Sequence, residues 1–182
     1  MNRKTEMNKK QSGSRIIYNT GCIEWYTPLD YINAVREVMG DIDLDPASCI
    51  EANTIVKAKK YFTKEENGLL QNWFGRVFMN PPYKRGLISK FTDKLIKELV
   101  NGNVKEAIVL VNNSTETKWF QNTSKYSSAI CLVKGRIKFI NEKNVLVGTP
   151  LQGQIFMYFG NNNIKFYEIF KKFGTVFVPF RI

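Results

Sequence analysis

Five consecutive apolar residues, Ala107–Val111, restrict the possible folds of this chain more than any other segment. The run lies between two charged residues, at 105 and 106, and two asparagines, at 112 and 113, so it is far too short to span a membrane. A short and wholly apolar run is typical of a central strand in a parallel sheet, because both faces of such a strand are covered. The run therefore predicts a layered α/β domain.

Predicted helices and strands alternate in the first part of the chain, and strands crowd together in the last part. A first helix is expected with Thr27 as its N-cap, Pro28 in its first turn and Met39 at its end. The strongest amphipathic pattern runs from Leu87 to Leu99, and shorter helices are expected within 47–60, 116–120 and 166–173. This order predicts a doubly wound, mostly parallel sheet with an antiparallel edge. The predicted strands are Asp41–Asp45, Arg76–Met79, Ala107–Val111, Ser128–Val133, Ile137–Ile140, Gln154–Phe159 and Thr175–Val178.

The chain carries a strong excess of positive charge. Its 182 residues include 27 Lys and Arg against 16 Asp and Glu, a net charge of +11. Residues 1–15 hold +4 of this charge, which leaves +7 on the rest. We expect a flexible basic arm at residues 1–20 and a single domain at 21–182. A basic body is typical of a polyanion-binding protein, most commonly one that binds nucleic acid, and the alternative is that the charge serves solubility alone.

The absence of histidine narrows the possible chemistry. It excludes Ser-His-Asp and Cys-His nucleophiles, a histidine base and histidine-ligated zinc, and we expect no metal site. The three cysteines are far apart and odd in number, which is typical of reduced thiols. No membrane-spanning stretch or signal-peptide pattern is found. These features predict a cytoplasmic protein that does not associate with membranes.

The tetrapeptide Asn80-Pro81-Pro82-Tyr83 directly follows the predicted strand Arg76–Met79. Ligands of open α/β sheets bind at the carboxyl ends of strands, so the tetrapeptide is expected at a binding edge. The Asn80 side-chain oxygen and the Pro81 carbonyl can accept hydrogen bonds, and the Tyr83 ring can stack on a planar group. Such a site suits adenine or cytosine, whose exocyclic amine would gain positive charge as it attacks an electrophile. The alternative is that the tetrapeptide forms only a rigid turn.

Two further segments are candidate ligand contacts. The strand end Asp43-Leu44-Asp45-Pro46-Ala47-Ser48 combines acids with a proline and small residues, which leaves room for a ligand near the backbone. A solvated strand end explains Asp43 equally well. Upstream, Trp25-Tyr26-Thr27-Pro28 either contacts a ligand or caps the first helix and fixes it to the core.

Together these segments resemble a known family. The tetrapeptide is similar to the (Asn/Asp/Ser)-Pro-Pro-(Tyr/Phe/Trp) motif of amino-methyltransferases that use S-adenosylmethionine. With residues 24–28, 43–48, 61–63, 67–69 and Trp73, the chain resembles phage and prophage DNA adenine-N6 methyltransferases over roughly residues 22–160. The resemblance implies a Rossmann-like methyltransferase fold with a seven-stranded sheet. It also implies catalysis by Asn80, Pro81, Pro82 and Tyr83.

The resemblance further implies two sets of binding residues. Lys84 and Arg85 adjoin the tetrapeptide, where phosphates of double-stranded DNA would pass, and Arg136 either contacts DNA or caps a turn. Ala47 and Ser48 stand where larger relatives have glycines. The residue that binds the cofactor ribose is left open among Asp43, Glu51, Asn53 and Asn67. The candidate contacts of S-adenosylmethionine are Trp25, Tyr26, Thr27, Pro28, Asp43, Asp45, Pro46, Ala47, Ser48 and Asn67.

The predicted function is transfer of a methyl group from S-adenosylmethionine to the exocyclic amine of an adenine flipped out of duplex DNA at a specific sequence. Methylation of cytosine N4, of RNA or of a protein glutamine uses the same tetrapeptide, so these are alternatives of the same chemical class. An alternative of a different class is a nucleic-acid-binding protein without activity. These sequence patterns do not indicate an oligomeric state.

Overall fold

The computed structural model of the chain describes residues 25–84, 86–141 and 150–180. The predicted arm at 1–20 and Arg85 lie outside these residues. Among the described residues, no helix is long and apolar enough to cross a membrane. A 3₁₀ turn lies at Gly68–Leu70. In chain order the helices and strands are α1 (Leu29–Met39), β1 (Leu44–Asp45), α2 (Ile50–Val56), β2 (Lys60–Tyr61), β3 (Gly75–Met79), α3 (Leu87–Val100), β4 (Val104–Asn112), α4 (Lys118–Ser124), β5 (Ala129–Val133), β6 (Gln154–Phe159), α5 (Asn163–Phe170) and β7 (Gly174–Phe177).

The strands of the described part of the chain form one seven-stranded sheet in the order β2-β1-β3-β4-β6-β5-β7. Strands β2, β1, β3 and β4 pair in parallel. Antiparallel pairing joins β4 to β6, β6 to β5 and β5 to β7. The mixed α/β sheet of seven strands is confirmed, but parallel pairing is confined to one end, and the antiparallel part is larger than the predicted edge. The reason lies in β6, whose six residues are all buried and therefore take an interior position.

The apolar run at residues 107–111 is confirmed as a central strand, since every one of its residues is 0% exposed. Its side chains alternate between two cores. Ile108 and Leu110 pack into a core that contains residues of α1 and α5, whereas Ala107, Val109 and Val111 pack into a core with residues of α3 and α4. Helices therefore cover both faces of β4, as a two-sided strand requires.

Two predictions about local structure were wrong. Helix α1 begins at Leu29, with Pro28 at the cap position and no side-chain cap hydrogen bond, so Thr27 is not its N-cap. The ψ of Pro28 is 148°, which keeps the backbone extended up to the helix. Residues 137–139 form no strand, and Ile140 makes only an isolated bridge to Tyr26. The alternating pattern there arises because inward side chains anchor an irregular segment.

Candidate active site

The candidate site lies at the edge of the sheet where β1, β3, β4 and β5 end, which we call the carboxyl edge. Strand β5 runs in the same direction as β4 because both are antiparallel to β6. Leu44 of β1 is paired with Val77 of β3, so Asp45 and Asn80 reach the same edge from neighbouring strands. The structure therefore brings together two candidate side chains that lie far apart in the sequence.

The Asn80 amide is held at its nitrogen and shares its oxygen with Tyr83. Asn80 Nδ2 donates to the carbonyl oxygen of Trp25 at 3.2 Å. The Tyr83 hydroxyl lies 3.3 Å from Asn80 Oδ1 and 3.3 Å from the carbonyl oxygen of Leu110, and its single hydrogen can be donated to either acceptor. The amide therefore points its oxygen toward Tyr83 and its nitrogen toward the chain segment before α1.

Tyr83 combines an exposed ring with an inward hydroxyl. The residue is 39% exposed, yet burial of its hydroxyl end raises the pKa of the phenol well above its ordinary value. The hydroxyl thus stays protonated and acts as a donor. Pro81 is buried, whereas Pro82 and Lys84 are exposed. Tyr83 is therefore partly accessible to a ligand at this edge.

Trp25, which accepts the hydrogen bond from Asn80, is fixed by residues far along the chain. Its ring lies 5.3 Å from the ring of Phe139, centroid to centroid. Next to it, Tyr26 and Ile140 exchange two backbone hydrogen bonds of 2.9 Å and 3.2 Å. The orientation of the Asn80 amide therefore depends on the segment that ends at Ile140.

Gln154 is a residue of this site that the sequence analysis missed. It is 2% exposed, its Oε1 accepts from the backbone nitrogen of Ile137 at 3.1 Å, and its Nε2 donates to the carbonyl oxygen of Gln152 at 2.6 Å. Gln154 thus ties the segment before Ile140 to the start of β6. The signal available in the sequence was a polar amide at the first position of a wholly apolar strand.

Asp45 is a buried carboxyl without a positively charged partner among its hydrogen bonds to described residues. It is 3% exposed and accepts from the backbone nitrogen of Ala47 at 3.1 Å. Burial raises its pKa to about 7, although the Ala47 nitrogen and the Ser48 hydroxyl lower it. The Ser48 Oγ is itself buried and makes no hydrogen bond of normal geometry to a described residue. The loop after β1 therefore holds two polar groups that the described chain only partly satisfies.

The 3₁₀ turn packs tightly against this loop. A Cβ on Gly68 would lie 1.9 Å from the carbonyl oxygen of Pro46, so only glycine allows this approach. Asn67 has a φ of 52° and its Oδ1 accepts from the backbone nitrogen of Leu69 at 3.3 Å. The indole of Trp73 donates to the carbonyl oxygen of Gly68 at 2.7 Å. Asn67 thus shapes the turn that faces the loop, and its side-chain oxygen is engaged there.

The segment Trp25-Tyr26-Thr27-Pro28 also reaches the loop after β1. The Cys49 thiol donates to the Tyr26 hydroxyl at 3.5 Å. Tyr26 is 7% exposed and Thr27 is 4% exposed, so both lie largely inside the protein, whereas Trp25 and Pro28 are half-buried. The structure therefore places this segment between Asn80 on one side and the loop on the other.

Asp43 lies outside this group, at the opposite edge of the sheet, which we call the amino edge. Its carboxylate accepts from Arg76 Nε at 2.9 Å, from the Arg76 backbone nitrogen at 2.9 Å and from Lys59 Nζ at 3.1 Å. These partners hold the pKa of Asp43 well below its ordinary value, with the Arg76 side chain as the main cause. The carboxylate is therefore occupied by an ion pair and is not brought near Asn80.

A cleft of about 740 Å³ opens at the amino edge rather than at Asn80. Several of its polar groups bond to one another: Arg76 pairs with Asp43, the Tyr158 hydroxyl donates to Glu106 at 2.5 Å, and the backbone nitrogen of Asn162 donates to the Tyr158 hydroxyl at 3.1 Å. These groups have their partners within the chain. We therefore place the candidate site at the carboxyl edge.

Neighbouring strands of the mixed sheet end in an anchored acceptor amide, Asn80, and a buried acid, Asp45, the two residue types that the sequence resemblance to amino-methyltransferases places there. Comparison with known proteins agrees with that class. The family model of DNA N-6-adenine-methyltransferase (Dam) matches residues 20–164, and the chain therefore belongs to this family. A DNA N-6-adenine-methyltransferase of Haemophilus phage HP1 is 34% identical over 122 residues, which cover 65% of this chain and 67% of the phage protein. No solved structure matches the chain.

The family match confirms the resemblance inferred from the tetrapeptide and its flanking segments. It also confirms the predicted activity, which is methylation of adenine N6 in DNA, and the relative from a phage supports the predicted phage type.

Proposed function

We propose that the carboxyl edge is the active site, where Asn80 and Pro81 accept the amine hydrogens of a flipped adenine that receives the methyl group of S-adenosylmethionine. The observation that carries this proposal is the Asn80 amide, whose nitrogen is bonded to the Trp25 carbonyl at 3.2 Å. With the nitrogen held there, Oδ1 is the atom that remains for a substrate. An acceptor is what an attacking amine requires, because its nitrogen becomes positive as the new bond forms.

The Tyr83 hydroxyl can release Asn80 Oδ1 when a base binds. In the described structure this hydroxyl is 3.3 Å from Asn80 Oδ1, the atom that the adenine amine would need. The carbonyl oxygen of Leu110 lies at the same distance of 3.3 Å. The hydroxyl can therefore donate entirely to Leu110 when a base arrives, without losing a hydrogen bond. The exposed Tyr83 ring then stacks on the adenine that has left the duplex.

The loop after β1 fits the polar end of a cofactor. The buried Ser48 Oγ lacks a hydrogen bond of normal geometry to a described residue. Among the described residues, the Asp45 carboxyl accepts a hydrogen bond of normal geometry from the Ala47 nitrogen alone. We assign Asp45, Pro46, Ala47 and Ser48 to the loop that holds S-adenosylmethionine. When bound, this cofactor supplies an electrophilic methyl group on a positively charged sulfur.

The Trp25-Tyr26-Thr27-Pro28 segment is the second wall of the proposed cofactor site, because it contacts Asn80 and the residue that follows the β1 loop, Cys49. Asn67 is assigned an indirect part, since it shapes the turn behind Pro46. We assign no cofactor contact to Asp43, because Arg76 and Lys59 pair with its carboxylate. The parallel strands β2, β1, β3 and β4 that carry these segments support a Rossmann-like methyltransferase fold.

Double-stranded DNA would approach the carboxyl edge from the side of Tyr83. Lys84 is exposed directly after the tetrapeptide, and Arg85 follows it in the sequence. Arg136 is exposed at the same edge, after β5. We assign these three cations to phosphates on either side of the flipped adenine, where they fix position rather than read sequence.

The test replaces Asn80 by alanine and measures single-turnover methyl transfer from labelled S-adenosylmethionine to unmethylated DNA. We expect a loss of about 10²–10³-fold with the free energy of unfolding nearly unchanged, as for removal of one key electrostatic contact. Asn80→Asp, which keeps an acceptor oxygen, is the matched control and should retain more activity. Near wild-type turnover by Asn80→Ala would refute the catalytic assignment. Digestion of the product to nucleosides separates N6-methyladenine from N4-methylcytosine.

A further inference from the structure

The segment 134–140, which we call the strap, presents cations outward and apolar side chains inward. Lys134, Arg136 and Lys138 are exposed. The inward residues are Ile137 at 1% exposure and Phe139 at 2% exposure. The strap contains no acidic residue, and none of its cations takes part in an ion pair with a described residue. Three exposed positive charges therefore lie within residues 134–138.

The backbone of the strap is fixed although it is not a strand. At its start, the Lys134 nitrogen donates to the carbonyl oxygen of Phe173 at 2.8 Å. Gly135 then turns the chain away from β5 with a φ of 76°, a conformation that glycine adopts without strain. Further along, Gln154 holds the Ile137 nitrogen at 3.1 Å, and Ile140 pairs with Tyr26. The three cations consequently project from a scaffold that is anchored at both ends.

The strap begins where β5 ends, so it lies at the carboxyl edge with Asn80 and Lys84. Its inner side supports the candidate site, since Phe139 contacts Trp25 and the Trp25 carbonyl oxygen accepts a hydrogen bond from Asn80. The three cations on its outer side are exposed and form no ion pair with a described residue. Cations that have no ion-pair partner among the described residues and are fixed beside a proposed base pocket match the chemistry of a phosphate backbone.

We propose that the strap is a binding surface for the phosphate backbone of duplex DNA, and that Lys134 and Lys138 bind phosphates together with Arg136. The inference rests on the proposed function, which it deepens by naming a surface and two further cations. Because phosphate contacts are independent of sequence, the strap supplies affinity to any duplex. Each contact should add about 0.9 to the slope of log affinity against log salt concentration.

The experiment compares two double variants that remove the same charge. Lys134→Gln with Lys138→Gln alters the strap, and Lys97→Gln with Lys105→Gln removes two exposed lysines near the amino edge. Affinity for a short unmethylated duplex is measured by fluorescence anisotropy across a salt series. We expect the strap variant to lower the slope by about 1.8 and the control variant to keep the wild-type slope. Affinity for S-adenosylmethionine, measured by calorimetry, should be retained by the strap variant.

Equal slopes for the strap variant and the wild type would overturn the proposal. Equal reductions in both double variants would also overturn it, because they would show a diffuse effect of net charge. The methyl-transfer assay on the wild-type protein separates the two levels of inference. If the wild type methylates adenine but the strap variant keeps the full slope, the strap assignment fails while the proposed function stands. A wild type that leaves adenine unmethylated would instead remove the proposed function.

Discussion

Two aspartates that lie two residues apart, Asp43 and Asp45, have opposite electrostatic environments at the two edges of the sheet. Asp43 accepts hydrogen bonds from Arg76 and Lys59, and these cations hold its pKa well below the ordinary value. Asp45 is buried beside a backbone nitrogen and a hydroxyl, and burial raises its pKa to about 7. The same residue type is thus stabilised as an anion at one edge and destabilised as an anion at the other.

This difference supports the proposal that the amino edge serves the fold and the carboxyl edge serves function. At the amino edge, Arg76 also donates to the carbonyl oxygen of Met39 at 3.0 Å and so ties the end of α1 to β3. At the carboxyl edge, a buried acid and a buried hydroxyl have few partners, which is costly for stability and typical of a site prepared for a ligand. Variants at the two edges should therefore change different properties.

The largest effect on stability is expected from Arg76→Met, which leaves Asp43 without its main partner. Because the Asp43 and Arg76 side chains are 18% and 31% exposed, solvent screens part of the loss, and we expect a decrease of about 2–3 kcal/mol in the free energy of unfolding. Urea unfolding at neutral pH measures this change. Lys59→Met, which removes the more exposed partner, should cost less.

The pH dependence of the free energy of unfolding provides a second test of Arg76→Met. The folded pKa of Asp43 is lowered, so the stability from its ion pair is present above the ordinary aspartate pKa of 3.8 and is lost as the pH falls toward the lower folded value. The difference between Arg76→Met and wild type should therefore shrink in acid. A constant difference across this range would contradict the ion-pair account.

A smaller change in the free energy of unfolding, with the opposite sign, is expected from Asp45→Asn. The folded pKa is raised from 3.8 to about 7, so the contribution of the protonated carboxyl is complete below pH 3.8 and is lost as the pH rises through about 7. At about pH 8, Asp45→Asn should raise the free energy of unfolding by about 1–2 kcal/mol, and this gain should vanish in acid. Unfolding curves at several pH values measure it.

The same Asp45 variant should bind S-adenosylmethionine more weakly, because the carboxylate is an acceptor in the proposed site. Asp43→Asn is the matched control: it should lower stability and leave the affinity for S-adenosylmethionine unchanged. Calorimetric titration of both variants provides the comparison. If the two substitutions changed cofactor affinity alike, the assignment of the two aspartates to different edges would be refuted.

The smallest effect is expected from Phe139→Leu, which loosens the contact that fixes Trp25. Since the Trp25 carbonyl orients the Asn80 amide, kcat should fall about fivefold, equivalent to about 1 kcal/mol, with the KM for DNA little changed. Phe166→Leu, in the same hydrophobic core but on α5, is the control and should reduce stability alone. An equal loss of kcat in both variants would show that Phe139 acts only through general packing.

Local patterns were sufficient to predict several elements. The helix α3 was expected from apolar residues between Leu87 and Leu99, and the structure has it at Leu87–Val100. Strand β3 was expected to lead directly into Asn80, and it ends at Met79. These predictions succeeded because an amphipathic helix and an apolar strand are specified by residues close together in the chain. The prediction of a strand at Ile137–Ile140 was wrong, because the alternating pattern there comes from side chains that anchor an irregular segment to the core and not from pairing with a neighbouring strand.

The sequence by itself determined the family, the tetrapeptide, the excess of cations and the two-sided central strand, since each is a property of neighbouring residues. Only the tertiary structure decided which aspartate is paired and what holds the Asn80 amide. Arg76 meets Asp43 across 33 residues of chain, and Trp25 meets Asn80 across 55 residues. Hydrogen bonds and desolvation act over a few ångströms in space, so partners separated by that much chain become neighbours only when the sheet has formed.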